Sequence, residues 1–282
     1  MKEQTKVAII GLGQMGGSLG LALKSKSLKN RYYIIGIARK QETLKTALKI
    51  GAADKVSLSL QDAKSCDIAV ICTPVDTIVP IYKQLSEIIG GNTIITDTGS
   101  VKEEIEKQIN SSLLTTHSSL PFVAVHPMAG RENNGILSAD AEMFKNENVI
   151  ITGSVKKSLK NEKLVAKMWK DAGANIINMP AKKHDELTAL TSHLAHCIAF
   201  SFNKIYKDIK KKNPEIDRIT AGSFKSITRV ALSSADMWAP IFAANSKNII
   251  KHLDAFIKEL NAFKKVLKNK NKVRQKILQT QE

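Results

Sequence analysis

Between residue 6 and about residue 180, short runs that are apolar throughout recur along the chain: KVAIIGLG, YYIIGIAR, DIAVICTP, TIITDTGS, FVAVHP, NVIITG and NIINMP. A strand with one wet face alternates apolar and polar residues, whereas runs without alternation suit parallel strands covered on both faces. Helical spacing fills the intervals, so the pattern predicts an α/β domain with a doubly wound sheet over residues 1–180. After Pro180 the strand pattern stops. AKKHDELTALTSHLAHCIAFSFNKIYKDIKKK predicts one long helix ending before NPEID, and residues 181–282 are expected to form an all-helical second domain. In its last helix Ile249, Leu253, Phe256, Leu260, Phe263 and Leu267 recur at intervals of four and three. That stripe suits packing on another helix, either within the chain or across a subunit interface.

Composition narrows the class. With 282 residues and 43% hydrophobic content the chain can bury a substantial core, and its length suggests two domains. Nothing approaches the roughly 18 consecutive apolar residues of a membrane span. MKEQTKVAIIG enters a strand too soon to hold a signal peptide, so a cytoplasmic protein is expected. Cys66, Cys72 and Cys197 are odd in number and set in apolar runs, which suggests neither a disulfide framework nor a zinc site. The net charge of +17 raises the question of a nucleic-acid partner. Much of that excess lies in scattered lysines and in KKVLKNKNKVRQK, and aromatics make up only 5% of residues, which argues against one.

The chemistry begins at KVAIIGLGQMGG, where Gly11, Gly13 and Gly16 fall in G-x-G-x-x-G spacing between a strand and a helix. The first glycine permits the tight turn, the second lets a pyrophosphate approach the backbone, and the third allows close helix–strand packing. Leu12 and Met15 belong to the same predicted cofactor loop. The fold expected is therefore a Rossmann-type sheet followed by the helical domain. At the end of the second strand an NAD-preferring site usually places an acidic residue, but this chain has Ala38, Arg39 and Lys40. Two cations suit a 2′-phosphate, so NADP is expected rather than NAD; the alternative is a solvated turn. Thr73-Pro74, Thr98-Gly99-Ser100 and His126-Pro127 all lie at strand ends, where ligands bind in open α/β sheets. Pro127 holds His126 in extended geometry, and an imidazole fixed there suits proton transfer, although a purely structural histidine is the alternative.

GLGQMGGSLGLAL, TDTGSVK, HPMAG, SHLAH and GSFKSITRVA occur in the order and spacing of the prephenate/arogenate dehydrogenases, the oxidative decarboxylases of tyrosine biosynthesis, which the chain resembles from about residue 6 to at least residue 245. The resemblance implies a homodimer formed through the helical part. It also implies a cyclohexadienol substrate, arogenate or prephenate, whose oxidation at C4 and loss of carbon dioxide aromatise the ring, without a metal. By the same likeness His126 would accept the C4 hydroxyl proton and Ser100 would help orient that hydroxyl. His196 would touch the substrate, with His193 three residues earlier ordering the helix–sheet junction, and Arg229 would bind a substrate carboxylate with Lys225 adding charge. Lys102 would support the fold or the helix start. Three positions depart from the family pattern: Ala195 where proline is usual, Ser226 where an acidic residue is common, and Arg131 where threonine is common. Ala195 is expected to straighten the helix, and Arg131 to reach the substrate or the nucleotide loop. The cation-rich cofactor turn and HPMAG favour arogenate, while His196 favours prephenate. Rival classes are another two-domain NADP-dependent hydroxyacid or imine dehydrogenase, and a non-catalytic NADP-binding protein.

Overall fold

A computed structural model of the chain describes residues 4–28, 30–90, 93–115, 120–130, 133–155 and 158–281. Eight strands form one sheet: Thr5–Ile10 (β1), Tyr32–Ile37 (β2), Lys55–Ser57 (β3), Ile68–Ile71 (β4), Ile94–Asp97 (β5), Phe122–Pro127 (β6), Asn148–Val155 (β7) and Asn175–Asn178 (β8). Their spatial order is β3-β2-β1-β4-β5-β6-β7-β8, so the order reverses at β1 and opens a crevice beside it. Helices Gln14–Leu23 (α1), Gln41–Lys49 (α2), Val75–Ile88 (α3), Glu103–Thr115 (α4) and Leu159–Asp171 (α5) accompany the sheet.

Successive residues of β1 face opposite ways and explain why the run has no polar alternation. Val7 and Ile9 join a core with Leu19, Leu23, Val165, Met168 and Trp169 from α1 and α5. Ala8 and Ile10 join a second core with Ile78, Tyr82 and Leu85 of α3 and Ile105 and Ile109 of α4. Each fully buried aliphatic or aromatic side chain contributes about 1.5–3 kcal/mol, which holds both helical layers to the sheet.

Two features of the sheet differ from expectation. β7 runs antiparallel to β6, although it pairs in parallel with β8. Burial on both faces makes a strand apolar whatever its direction. The β6–β7 connection has only the short helix Ile136–Ser138 among its described residues, so the chain re-enters the sheet at the end it left. The edge strand β3 is three residues long and only half covered, and its sequence carries no apolar run.

Beyond β8 come Ala181–Thr188 (α6), Ala195–Lys210 (α7), Gly222–Arg229 (α8), Ala235–Ala244 (α9), Ser246–Val266 (α10) and Lys270–Leu278 (α11). The single long helix expected from residue 181 is interrupted by a π-helical stretch, Ala189–Leu194, that joins α6 to α7. Ala195 therefore does not straighten a uniform helix; it follows directly on a widened turn. The α10 stripe is buried at Ile249, against the π stretch, but Leu260 and Leu267 are more than half exposed. Ile205, Ile219, Leu232 and Ile250 are likewise exposed on the helical part. Among the described residues no helix is long and apolar enough to cross a membrane.

Candidate active site

The glycine loop is shaped by close approach. Gly11 has φ of +98°, and a Cβ there would stand 2.7 Å from the Cys72 carbonyl oxygen. A Cβ on Gly16 would collide with the Gly11 carbonyl, whereas one on Gly13 would meet nothing within 4 Å. Gly13 thus leaves open space at the N-terminus of α1, where backbone N–H groups and the helix dipole favour a phosphate. Leu12 turns its side chain into the core against Gly36, so only its backbone can serve a nucleotide; Met15 also packs on that core. Ala38 follows β2 and donates its N–H to Ser57, while Arg39 and Lys40 are exposed at the start of α2. These residues fit a dinucleotide: a phosphate cradle at Gly13 and cations beyond β2. Thr73-Pro74 opens α3, and Thr98 follows β5 and hydrogen-bonds the Cys72 thiol. Burial pushes that thiol up to about 12, so it stays protonated.

His126 occupies the mouth of β6 and is buried, with 8% exposure. Its strand is clamped from below by the fully buried pair of Lys102 and Asp97. Lys102 Nζ donates to the Val125 carbonyl at 2.7 Å, and Asp97 Oδ1 accepts the Val125 N–H at 3.0 Å. Lys102 and Asp97 together hold both backbone groups of the residue before His126, Lys102 at the carbonyl and Asp97 at the N–H.

A chain of three side chains follows. Asp185 Oδ1 lies 2.7 Å from His184 Nδ1, and His184 Nε2 lies 2.7 Å from His126 Nδ1. The carboxylate also accepts the N–H groups of Lys102 and Glu103 at 2.9 Å, capping α4. Since an ionised carboxylate only accepts, His184 Nδ1 is the donor; a neutral His184 then accepts at Nε2 from His126 Nδ1–H. This leaves the lone pair of His126 on Nε2, the ring nitrogen that does not face His184. Burial, followed by the neighbouring His184, Lys102 and His193, holds His126 well below the ordinary histidine range. The ring is neutral at physiological pH and able to accept a proton. His184 and Asp185 went unrecognised in the sequence, where HDEL reads as an ordinary helical segment; their signal was a histidine beside an acid one helix upstream of SHLAH.

On α7, His196 is half-buried and stacks on Trp238 at a centroid distance of 3.7 Å, with Nδ1–H donated to the Ser192 carbonyl at 3.0 Å. His193 is buried with 1% exposure, and burial lowers it to about 4. Arg229 ends α8 and Lys225 lies one turn earlier, both exposed; Ser100 is half-buried between β5 and α4. Arg131 lies outside the described residues. Among the described residues no group of three histidine, cysteine or acidic side chains could hold a metal ion.

A glycine loop with open space at the start of α1 and a neutral, oriented imidazole at a strand mouth of the same sheet fit a two-domain nicotinamide-dependent dehydrogenase. The family description "Prephenate dehydrogenase, nucleotide-binding domain" matches residues 19–178, and "Prephenate dehydrogenase, dimerization domain" matches residues 180–279. The chain belongs to the prephenate dehydrogenase family and is an NAD(P)-dependent oxidoreductase. It is 34% identical over 257 residues to the cyclohexadienyl dehydrogenase of Zymomonas mobilis, covering 90% of this chain and 85% of that one. Identity to the Bacillus subtilis prephenate dehydrogenase is 30%, covering 90% and 68%. The crystal structure of prephenate dehydrogenase from Aquifex aeolicus with hydroxyphenyl propionate and NAD+ superposes with a TM-score of 0.88 at 29% identity, over 99% of this chain and 96% of that one.

Proposed function

We propose that the protein oxidatively decarboxylates a cyclohexadienol of tyrosine biosynthesis, with arogenate preferred over prephenate, using NADP and acting as a cytoplasmic homodimer. The observation that carries this reading is the Asp185–His184–His126 chain, which presents a neutral imidazole nitrogen at the strand mouth. When bound, the nicotinamide supplies the hydride acceptor. His126 Nε2 takes the C4 hydroxyl proton as the alcohol becomes a ketone, and Ser100 orients the hydroxyl. His184 accepts more strongly from the resulting imidazolium, and Asp185 stabilises the charge through His184. Loss of carbon dioxide from C1 sends its bonding electrons through the ring to the C4 oxygen, and His126 returns the proton to form the phenol. Arg229, with Lys225 behind it, holds a substrate carboxylate. His196 borders the substrate's side chain from its stack on Trp238. Arg131 and His193 complete the proposed substrate side, the latter indirectly. On the cofactor side Arg39 and Lys40 take the 2′-phosphate, while Thr73, Pro74 and Thr98 line the nicotinamide end.

The exposed apolar residues of α7 and α10 support a dimer through the helical part. Steady-state rates with arogenate and prephenate, each with NADP and NAD, test the proposal. Highest kcat/KM is expected for arogenate with NADP; nucleotide binding without turnover of either substrate would overturn it.

A further inference from the structure

Asn245 sits between α9 and α10, buried at 4% exposure, in a stretch with no recognisable motif. Its amide nitrogen lies 2.8 Å from the Asp185 main-chain oxygen and 3.1 Å from His193 Nδ1. A carbonyl oxygen can only accept, so the amide atom facing Asp185 must be Nδ2. The same nitrogen then donates its second proton to His193, whose Nδ1 must be bare. Asn248 closes the arrangement by donating to Asn245 Oδ1 at 2.8 Å. His193 is consequently the tautomer with its proton on Nε2, an atom that has no partner among the described residues.

The two acceptors of Asn245 lead into different halves of the site. Asp185 orients His184 and through it His126. His193 packs edge-on against Trp238 at 5.9 Å, and Trp238 stacks on His196. We infer that Asn245 is a positioning residue that aligns the proton-accepting chain with the aromatic wall of the substrate pocket by donating one amide proton to each. This rests on the function proposed above. It needs an uncharged double donor, because a carboxylate at residue 245 would repel the Asp185 carbonyl and draw a second proton onto His193. Asp185 already favours that proton, whereas His184, His196 and burial oppose it.

Two measurements test the role. Nitrogen-15 NMR of the histidine rings in the wild-type protein should show His193 neutral at about pH 7, with Nε2 protonated and Nδ1 bare. A signal from the opposite tautomer, or from a cationic ring, would overturn the inference without reference to any substrate. In Asn245→Asp the ring should become cationic at the same pH. With prephenate and arogenate as the probes, kcat should fall about tenfold and KM for the dienol should rise severalfold, while KM for the nucleotide stays put. A folded Asn245→Asp enzyme with kcat and dienol KM within about twofold of wild type would show that Asn245 merely stabilises the fold. Absence of turnover by the wild-type enzyme would strike the proposed function, leaving the tautomer result to stand or fall by itself.

Discussion

His126 Nδ1 and His184 Nε2 are 2.7 Å apart although 58 residues separate them, one at the end of β6 and the other on α6. The proposed base is thus aimed from outside the sheet that carries it. His184→Gln should leave nucleotide binding intact but lower kcat by about 10- to 100-fold, because imidazolium stabilisation and ring orientation are both weakened. Nucleotide titration and steady-state kinetics of the folded variant check this; wild-type kcat would remove His184 from the mechanism. His126→Asn, which deletes the acceptor itself, should cost at least about 100-fold.

The turn after β2 presents Arg39 and Lys40 to solvent with Ala38 in the usual acidic position. Replacing Ala38 with Asp and Arg39 with Ser should depress kcat/KM with NADP far more than with NAD. The ratio of the two values is the measurement, and an unchanged ratio would refute the cofactor assignment.

At the end of α8, Arg229 can form paired, charge-assisted hydrogen bonds to a carboxylate, each worth roughly 1.5–3 kcal/mol. Lysine keeps the charge without the planar fork, so Arg229→Lys should raise substrate KM and Arg229→Ala should raise it further. The effect on kcat should be smaller, since a grip on the departing ring carboxylate would hold back the reaction. Unchanged KM for both substrates in Arg229→Ala would exclude this contact.

Acid should destabilise the protein before its carboxylates titrate. His126 and His193 are both held below the ordinary value of 6.5, His193 at about 4, so the unfolded chain binds protons that the folded chain refuses. Stability is therefore complete above pH 6.5 and declines as pH falls toward 4, by about 1.4 kcal/mol per pH unit for each fully unmatched proton. Calorimetric Tm values across that range should drop, with a shallower slope in His193→Gln. A flat Tm between pH 7 and 5 would contradict the burial of these rings in neutral form.

The sheet and the glycine loop were legible because both write short-range signals: apolar runs of strand length, and glycines at spacings that only close backbone approach requires. His126 was legible through Pro127. The direction of β7 was not, since an apolar run records burial and says nothing of which way the strand points. His184 and Asp185 were hidden because their partners, His126 and the N–H groups at residues 102 and 103, lie far away in sequence. Asn245 was hidden for the same reason. The π stretch at residues 189–194 left no mark because its residues, ALTSHL, are compatible with an ordinary α-helix.

That stretch preserves an angular phase. Each residue of an α-helix turns the chain by roughly 100°, and a widened turn takes up one extra residue without passing its rotation to the helix beyond. His184 lies before it, His193 within it and His196 after it, yet the first serves the sheet and the last two face Trp238. Deleting a single residue from 189–192 should therefore let the helix close into regular α form with α7 keeping its place and His196 staying on Trp238. The same deletion inside α7 beyond His196 has no widened turn to absorb it and would rotate the rest of that helix by roughly 100°.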